Sequence, residues 1–134
     1  MTYAEWGVDY LKYDYCGMDK AGETVQQSYE RMRDALAATG RPILFSMCSW
    51  GHGQPWLWGQ NVGNSWRTSA DVFAVWDTEQ AKRLKLPSFL IPVLNAAQSV
   101  ADLAKYAGPG GFNDPDMLVR RAVTDMRHTG PLPH

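Results

Sequence analysis

The sequence lacks an excess of charge of either sign. Across its 134 residues, 13 Lys+Arg stand against 14 Asp+Glu, for a net charge of -1. A nucleic-acid binder would usually carry a basic excess or a basic stripe, so no nucleic-acid partner is expected. No apolar run approaches the roughly 18–20 residues needed to cross a bilayer, so no membrane partner is expected either. The first residues, MTYAEWGVDY, show no basic head followed by an apolar stretch, so they do not read as a signal peptide. Cysteine is scarce: Cys16 and Cys48 are the two in the chain, and no CxxC occurs. Their spacing matches no zinc pattern, and a disulfide or two unrelated buried thiols both stay open. His52 and His128 stand apart from cysteine and from each other, so no metal site is expected. The absence of GxGxxG and GxxxxGK[ST] weakens any nucleotide-binding reading. Ser46, Ser49 and Ser65 lack a nucleophile-elbow context, which argues against a Ser-His-Asp hydrolase. No repeat, low-complexity tract or linker divides the chain.

What is present is a globular composition, with 45% hydrophobic and 20% charged residues. The chain has 6 Trp, 12 Gly and 8 Pro, and five of those Trp lie between Trp50 and Trp76. A Trp- and Gly-rich loop region suits sugar rings, whose C–H faces stack on aromatic faces. The plainer reading is an aromatic core beneath long loops.

Strand and helix signals alternate. Residues 6–14 predict a short strand whose mixed apolar pattern suits burial on both faces. Residues 15–23 read as a loop. Thr24 then caps a predicted helix, with Gln27 at capping-box spacing and Val25, Tyr29, Met32 and Leu36 on one face. Gly40 and Pro42 end that helix, and residues 42–48 predict a second strand. This is a βαβ unit, which implies a parallel sheet. Residues 49–63 form a long loop at a strand's C-terminal end, the edge that carries chemistry in α/β folds. A third strand is expected within 64–73 and a helix over 77–86, ended by Pro87. Pro92 interrupts the stretch 88–107, where Ser99 is expected to cap a helix to Tyr106. Residues 110–118 predict a Gly-led strand ending in a polar turn. The basic stretch 119–134 reads as a poorly ordered tail. An open doubly wound sheet and part of a (β/α)8 barrel both fit this α/β alternation. A full barrel typically takes about 250 residues, so this chain would supply roughly half of one.

The chemistry-bearing candidates are acidic residues at predicted strand ends. Asp14 closes the first strand, with Lys12 on the same side two residues earlier. Asp71 follows Arg67 by four residues, and Asp114 and Asp116 flank Pro115. Two carboxylates facing each other across a sugar-sized pocket can cleave a glycosidic bond, at separations of about 5–5.5 Å for retention and roughly 6.5–9.5 Å for inversion. Asp9, Asp19, Asp34, Asp77 and Asp102 read as caps or surface charges.

Taken together, WGVDYLKYDYC, CSWG followed by PWLW, GNSWRTSADV and YAGPGGFNDPDML resemble the α-galactosidases of glycoside hydrolase family 27 over roughly residues 5–118. The resemblance implies a (β/α)8 barrel, here its middle-to-late βα units, with residues 1–118 as a barrel fragment. It implies Asp14 as nucleophile and Asp71 as acid/base in retaining hydrolysis of α-D-galactosides. Lys12, Cys48, Trp50, Arg67 and Asp116 are the implied substrate-binding or supporting residues, and Cys16 and Cys48 an implied disulfide in an oxidising compartment. No cofactor is implied, and the parent enzyme would be secreted. The first barrel strands and a following β-sandwich domain are missing, and the tail departs from the family's Gly-rich continuation, so a truncated or frame-shifted product is expected. Ser49 is smaller than the polar residue many α-galactosidases have there. That keeps an α-N-acetylgalactosaminidase reading open, beside a β-L-arabinopyranoside specificity and a non-catalytic galactose-binding remnant.

Overall fold

A computed structural model of the chain describes residues 2–17 and 22–117. The first strand, β1 (Tyr10–Asp14), alternates exposed and half-buried side chains along its length. Its parallel neighbour β2 (Leu44–Cys48) is buried from Phe45 onward. The two are paired from Tyr10 opposite Leu44 to Asp14 opposite Cys48. Helix α1 (Val25–Ala37) connects them, and its start follows the predicted chemistry. The Thr24 hydroxyl accepts from the Gln27 N–H at 3.2 Å, while the Gln27 side chain accepts from the Thr24 N–H at 2.9 Å. Both orphan donors of the first turn are thereby satisfied.

Two further parallel strands, β3 (Ser65–Arg67) and β6 (Phe112–Asp114), complete a sheet of order β1-β2-β3-β6. The register puts Ser46 opposite Ser65, and Arg67 opposite Asp114. Residues opposite one another in a ladder project to the same side, and successive residues alternate. One face therefore carries Leu11, Tyr13, Phe45, Met47 and Trp66, packed against Tyr29 and Leu36 of α1. The other carries Lys12, Asp14, Ser46, Cys48, Arg67 and Asp114. The mixed pattern of β1 thus reflects one face under a helix and one face bearing charge.

The strand expected within 64–73 divides in two. After β3 the guanidinium of Arg67 bonds back to the carbonyls of Ser69 and Ala70, at 3.2 and 2.9 Å. Those acceptors are removed from any ladder, and the chain leaves the sheet. It resumes as β4 (Asp71–Phe73), which pairs in parallel with β5 (Leu90–Pro92) in a separate two-stranded sheet. Between them α2 (Thr78–Arg83) is capped by Asp77, whose side chain accepts from the Gln80 N–H at 2.9 Å. Helix α3 (Val93–Ala101) starts directly after Pro92, earlier than expected. Proline's missing N–H is harmless at a helix start. Ser99 does not cap this helix but lies inside it, its hydroxyl donating to the Ala96 carbonyl at 2.7 Å. Ala104–Tyr106 is a separate 3-10 turn. The expectation for 119–134 lies outside the described residues. Among the described residues, no helix is long and apolar enough to cross a membrane.

Most of the tryptophans build the core. Trp66 is fully buried, and Trp50, Trp56 and Trp58 pack around the central cluster. Trp6 and Trp76 are exposed. Trp66 lies between two glycines: a Cβ on Gly59 would come within 2.7 Å of the indole, and one on Gly111 within 2.9 Å. Two stability losses follow, measurable by urea denaturation. Thr24→Ala is expected to cost about 1 kcal/mol through the lost cap. Gly111→Ala is expected to cost about 1–3 kcal/mol through overpacking, and an unchanged midpoint would show that the indole has room to move.

Candidate active site

The charged face meets the C-terminal ends of the strands, where parallel α/β folds place their chemistry. Arg67 ends β3 and is only 1% exposed. Its Nη2 donates to Asp71 Oδ1 at 3.0 Å and forms an ion pair with Asp116 at 3.1 Å. Its Nη1 donates to the Cys48 sulfur at 3.7 Å. Cys48 ends β2 directly opposite Asp14 at the end of β1. The structure therefore links the two acidic candidates in one row of neighbours: Asp14, Cys48, Arg67, Asp71. Lys12 and Asp14 lie exposed on the same side of β1. The Asp71 side chain is about half exposed, with one oxygen on Arg67.

Arg67 and Asp116 hold the site together rather than line it openly. The Asp116 side chain is 14% exposed. Besides the Arg67 pair, its Oδ2 accepts from the Val72 N–H at 2.8 Å, tying the turn after β6 to the strand that begins with Asp71. Its own N–H donates to Asp114 Oδ1 at 2.8 Å. That is an Asx-type turn, which the NDPD sequence signals through its Asp two residues before the bonded N–H. The role of Asp114 could have been read from that motif and was not. Arg67 Nε, buried like the rest of the side chain, has no protein partner among the described residues.

Trp50 follows Cys48 by two residues and packs against the core. Its φ of 53° is left-handed, a conformation that costs a residue with a side chain roughly 1–2 kcal/mol. Such strain concentrates at functional sites. Gly51 beside it permits close approach, since a Cβ there would lie 2.6 Å from the Thr68 carbonyl oxygen. Ser49 is fully buried, and its hydroxyl donates to the His52 carbonyl at 2.9 Å.

The structure shows no bond between Cys16 and Cys48. Cys16 sits exposed in the turn after β1, whereas the Cys48 sulfur is turned into the buried layer between Asp14 and Arg67. Burial, reinforced by a hydrogen bond to Asp14, pushes the Cys48 thiol up to about 12, against the opposing pull of Arg67 and Lys12. Among the described residues, no three His, Cys, Asp or Glu side chains cluster to hold a metal ion. Grooves of 340 and 250 Å³ open on the helix-covered side of the sheet, and neither is lined by Lys12, Asp14, Asp71 or Asp116.

Known proteins are similar to this chain in sequence and fold. The profile of a family described as "Alpha galactosidase A" matches residues 1–125. The chain is 46% identical over 118 residues to α-galactosidase A of Cellvibrio japonicus, a match covering 88% of this chain and 28% of that protein. The solved structure of α-galactosidase I from Mortierella vinacea is similar at 35% identity and a TM-score of 0.70, over 87% of this chain and 32% of the other. That of the Saccharomyces cerevisiae α-galactosidase with raffinose is similar at 35% identity and a TM-score of 0.69, over 85% and 28%. The chain thus spans less than a third of the length of each. Its parallel sheet is part of a (β/α)8 barrel.

The buried acids set the behaviour at high pH. Burial, then Cys48, pushes the Tyr29 phenol above its ordinary value of 10.0, as burial raises Cys48 from 9.0. On unfolding both return to ordinary values, so the unfolded chain loses its protons first as pH rises. Stability from these groups is fully present below pH 9.0 and is lost as pH rises toward about 12. Urea midpoints measured across that window should fall steadily, and a flat profile would contradict the burial of both groups.

Proposed function

We propose, from a chain that belongs to the α-galactosidase A family of glycoside hydrolases, that these residues form part of the site at which a terminal α-D-galactosyl residue is hydrolysed with retention. In this reading the Asp14 carboxylate attacks the anomeric carbon while Asp71 gives its proton to the departing glycosidic oxygen. The C–O bond to the leaving group breaks as the bond to Asp14 forms. Asp71, now a carboxylate, then takes a proton from water, and that water's oxygen displaces Asp14. The product is α-galactose, and both aspartates return to their starting states.

The supporting observation is the continuous row Asp14, Cys48, Arg67, Asp71 at the C-terminal ends of β1 to β3 and the start of β4. Lys12, two residues before Asp14 on the same face, suits recognition of sugar hydroxyls. Trp50, two residues after Cys48, is the aromatic side chain that would stack on an apolar sugar face. Arg67 and Asp116 serve mainly by fixing Asp71 and the start of β4. The yeast relative was solved with raffinose, which is in keeping with an α-galactoside as substrate. An extracellular setting for the parent enzyme belongs to this proposal and is supported by the family resemblance alone.

The test is a chimaera in which residues 2–117 replace the matching segment of the Mortierella vinacea enzyme, assayed on an aryl α-galactoside. The chimaera should turn the substrate over, and Asp14→Asn should lower kcat by roughly 10⁴-fold or more. Near-normal turnover in that variant would remove Asp14 from the mechanism.

A further inference from the structure

Asp14 stands between two tyrosines, Tyr13 and Tyr15, and both pack in the aromatic cluster beneath α1. A single ring from that helix meets them both. Tyr29 is 0% exposed; its ring meets Tyr13 edge-on with centroids 5.9 Å apart and stacks on Tyr15 at 6.3 Å. Its hydroxyl donates to the Tyr13 carbonyl at 3.1 Å. That carbonyl belongs to the peptide group that carries the Asp14 N–H. One residue beyond Asp14, the Tyr15 N–H donates to the Cys48 carbonyl at 3.0 Å. The backbone is therefore held immediately before and immediately after Asp14. With both neighbours anchored on the helix side, strand alternation sends the Asp14 side chain to the other face.

We propose that Tyr29 is a positioning residue for Asp14: its hydroxyl, through the Tyr13 carbonyl, and its ring, against Tyr13 and Tyr15, fix the direction in which the Asp14 carboxylate faces the sugar. The inference rests on the reading of Asp14 as nucleophile given above; the contact of Tyr29 with Tyr13 does not. Tyr29 itself lies on the helix side of the sheet and does not touch the sugar. Its effect passes through the backbone. An aspartate has a short side chain with two rotatable bonds, so the orientation of its own backbone sets most of where its oxygens stand. A misplacement of about 1 Å in a reacting group can cost on the order of 100-fold in rate. Loss of the hydroxyl leaves the strand ladder in place, so the expected movement, and the loss, are smaller. A buried phenol also needs a partner for its own sake, and that alone would give Tyr29 a role in stability. What distinguishes the two roles is the residue its partner precedes.

The experiment compares Tyr29→Phe, which keeps the ring and removes the hydroxyl, with Leu36→Val. Leu36 is buried in the same cluster on the same helix, so its truncation costs stability without removing the bond to Tyr13. In the 134-residue chain, NMR reads the Tyr13 carbonyl carbon and the Asp14 amide. Both signals should move in Tyr29→Phe, as the carbonyl loses a donor, and neither should move in Leu36→Val. In the chimaera, Tyr29→Phe should lower kcat by about 5–20-fold. KM should stay within roughly twofold, because the group displaced acts in the transition state. Leu36→Val should leave both constants near those of the parent chimaera. A Tyr13 carbonyl signal that ignores Tyr29→Phe would overturn the inference. So would a fall in kcat no larger than that of Leu36→Val, or a loss confined to KM. Each of these results leaves the kinetic test of Asp14 as nucleophile untouched. Conversely, full turnover by Asp14→Asn would overturn the proposed function, and the Tyr13 signal would still report the contact with Tyr29.

Discussion

The guanidinium of Arg67 is the charge on which the geometry of this face depends. Burying a lone cation costs several kcal/mol even after relaxation. Here the carboxylates of Asp71 and Asp116 and the carbonyls of Ser69 and Ala70 gather around Nη2, while Nη1 donates to the Cys48 sulfur. Each partner comes from a different place: the end of β2, the start of β4, the turn after β6. The two terminal nitrogens of a rigid planar guanidinium reach all of them, and a lysine's point charge cannot. The break in the chain after β3, the exposed presentation of Asp71 and the left-handed turn at Asp116 therefore belong to one electrostatic arrangement.

The parallel register does the complementary work. Because side chains alternate along each strand, the same short segments supply two surfaces. Tyr13, Phe45, Met47 and Trp66 lie with Tyr29 in the core on the helix side. Lys12, Asp14, Cys48 and Arg67 stand on the other side. Stability and chemistry are thus divided by face rather than by segment.

Much of this was legible in the sequence, for local reasons. The Thr24–Gln27 capping box, the strand ends at Asp14 and Cys48 and the αβ alternation are written in short-range patterns, and the structure follows them. What was not legible depended on contacts distant in sequence. The division of 64–73 into two strands follows from Arg67 folding onto its own downstream carbonyls. The early start of α3 follows from Pro92 opening a helix rather than only interrupting. Ser99 carries a cap-forming side chain, yet it bonds within the helix. The tryptophan-rich region fitted both a sugar platform and a core, and burial assigns Trp66 wholly to the core.

The central claim is that Asp14 and Asp71 stand close enough to share one sugar, as retention requires. The stereochemistry of the first-formed product reports that separation directly, because closely spaced carboxylates retain configuration and widely spaced ones invert it. Proton NMR of the sugar released by the active chimaera, recorded before mutarotation, should show α-galactose. Initial release of β-galactose would mean that a water stands between the carboxylates, and the double displacement through Asp14 would be wrong.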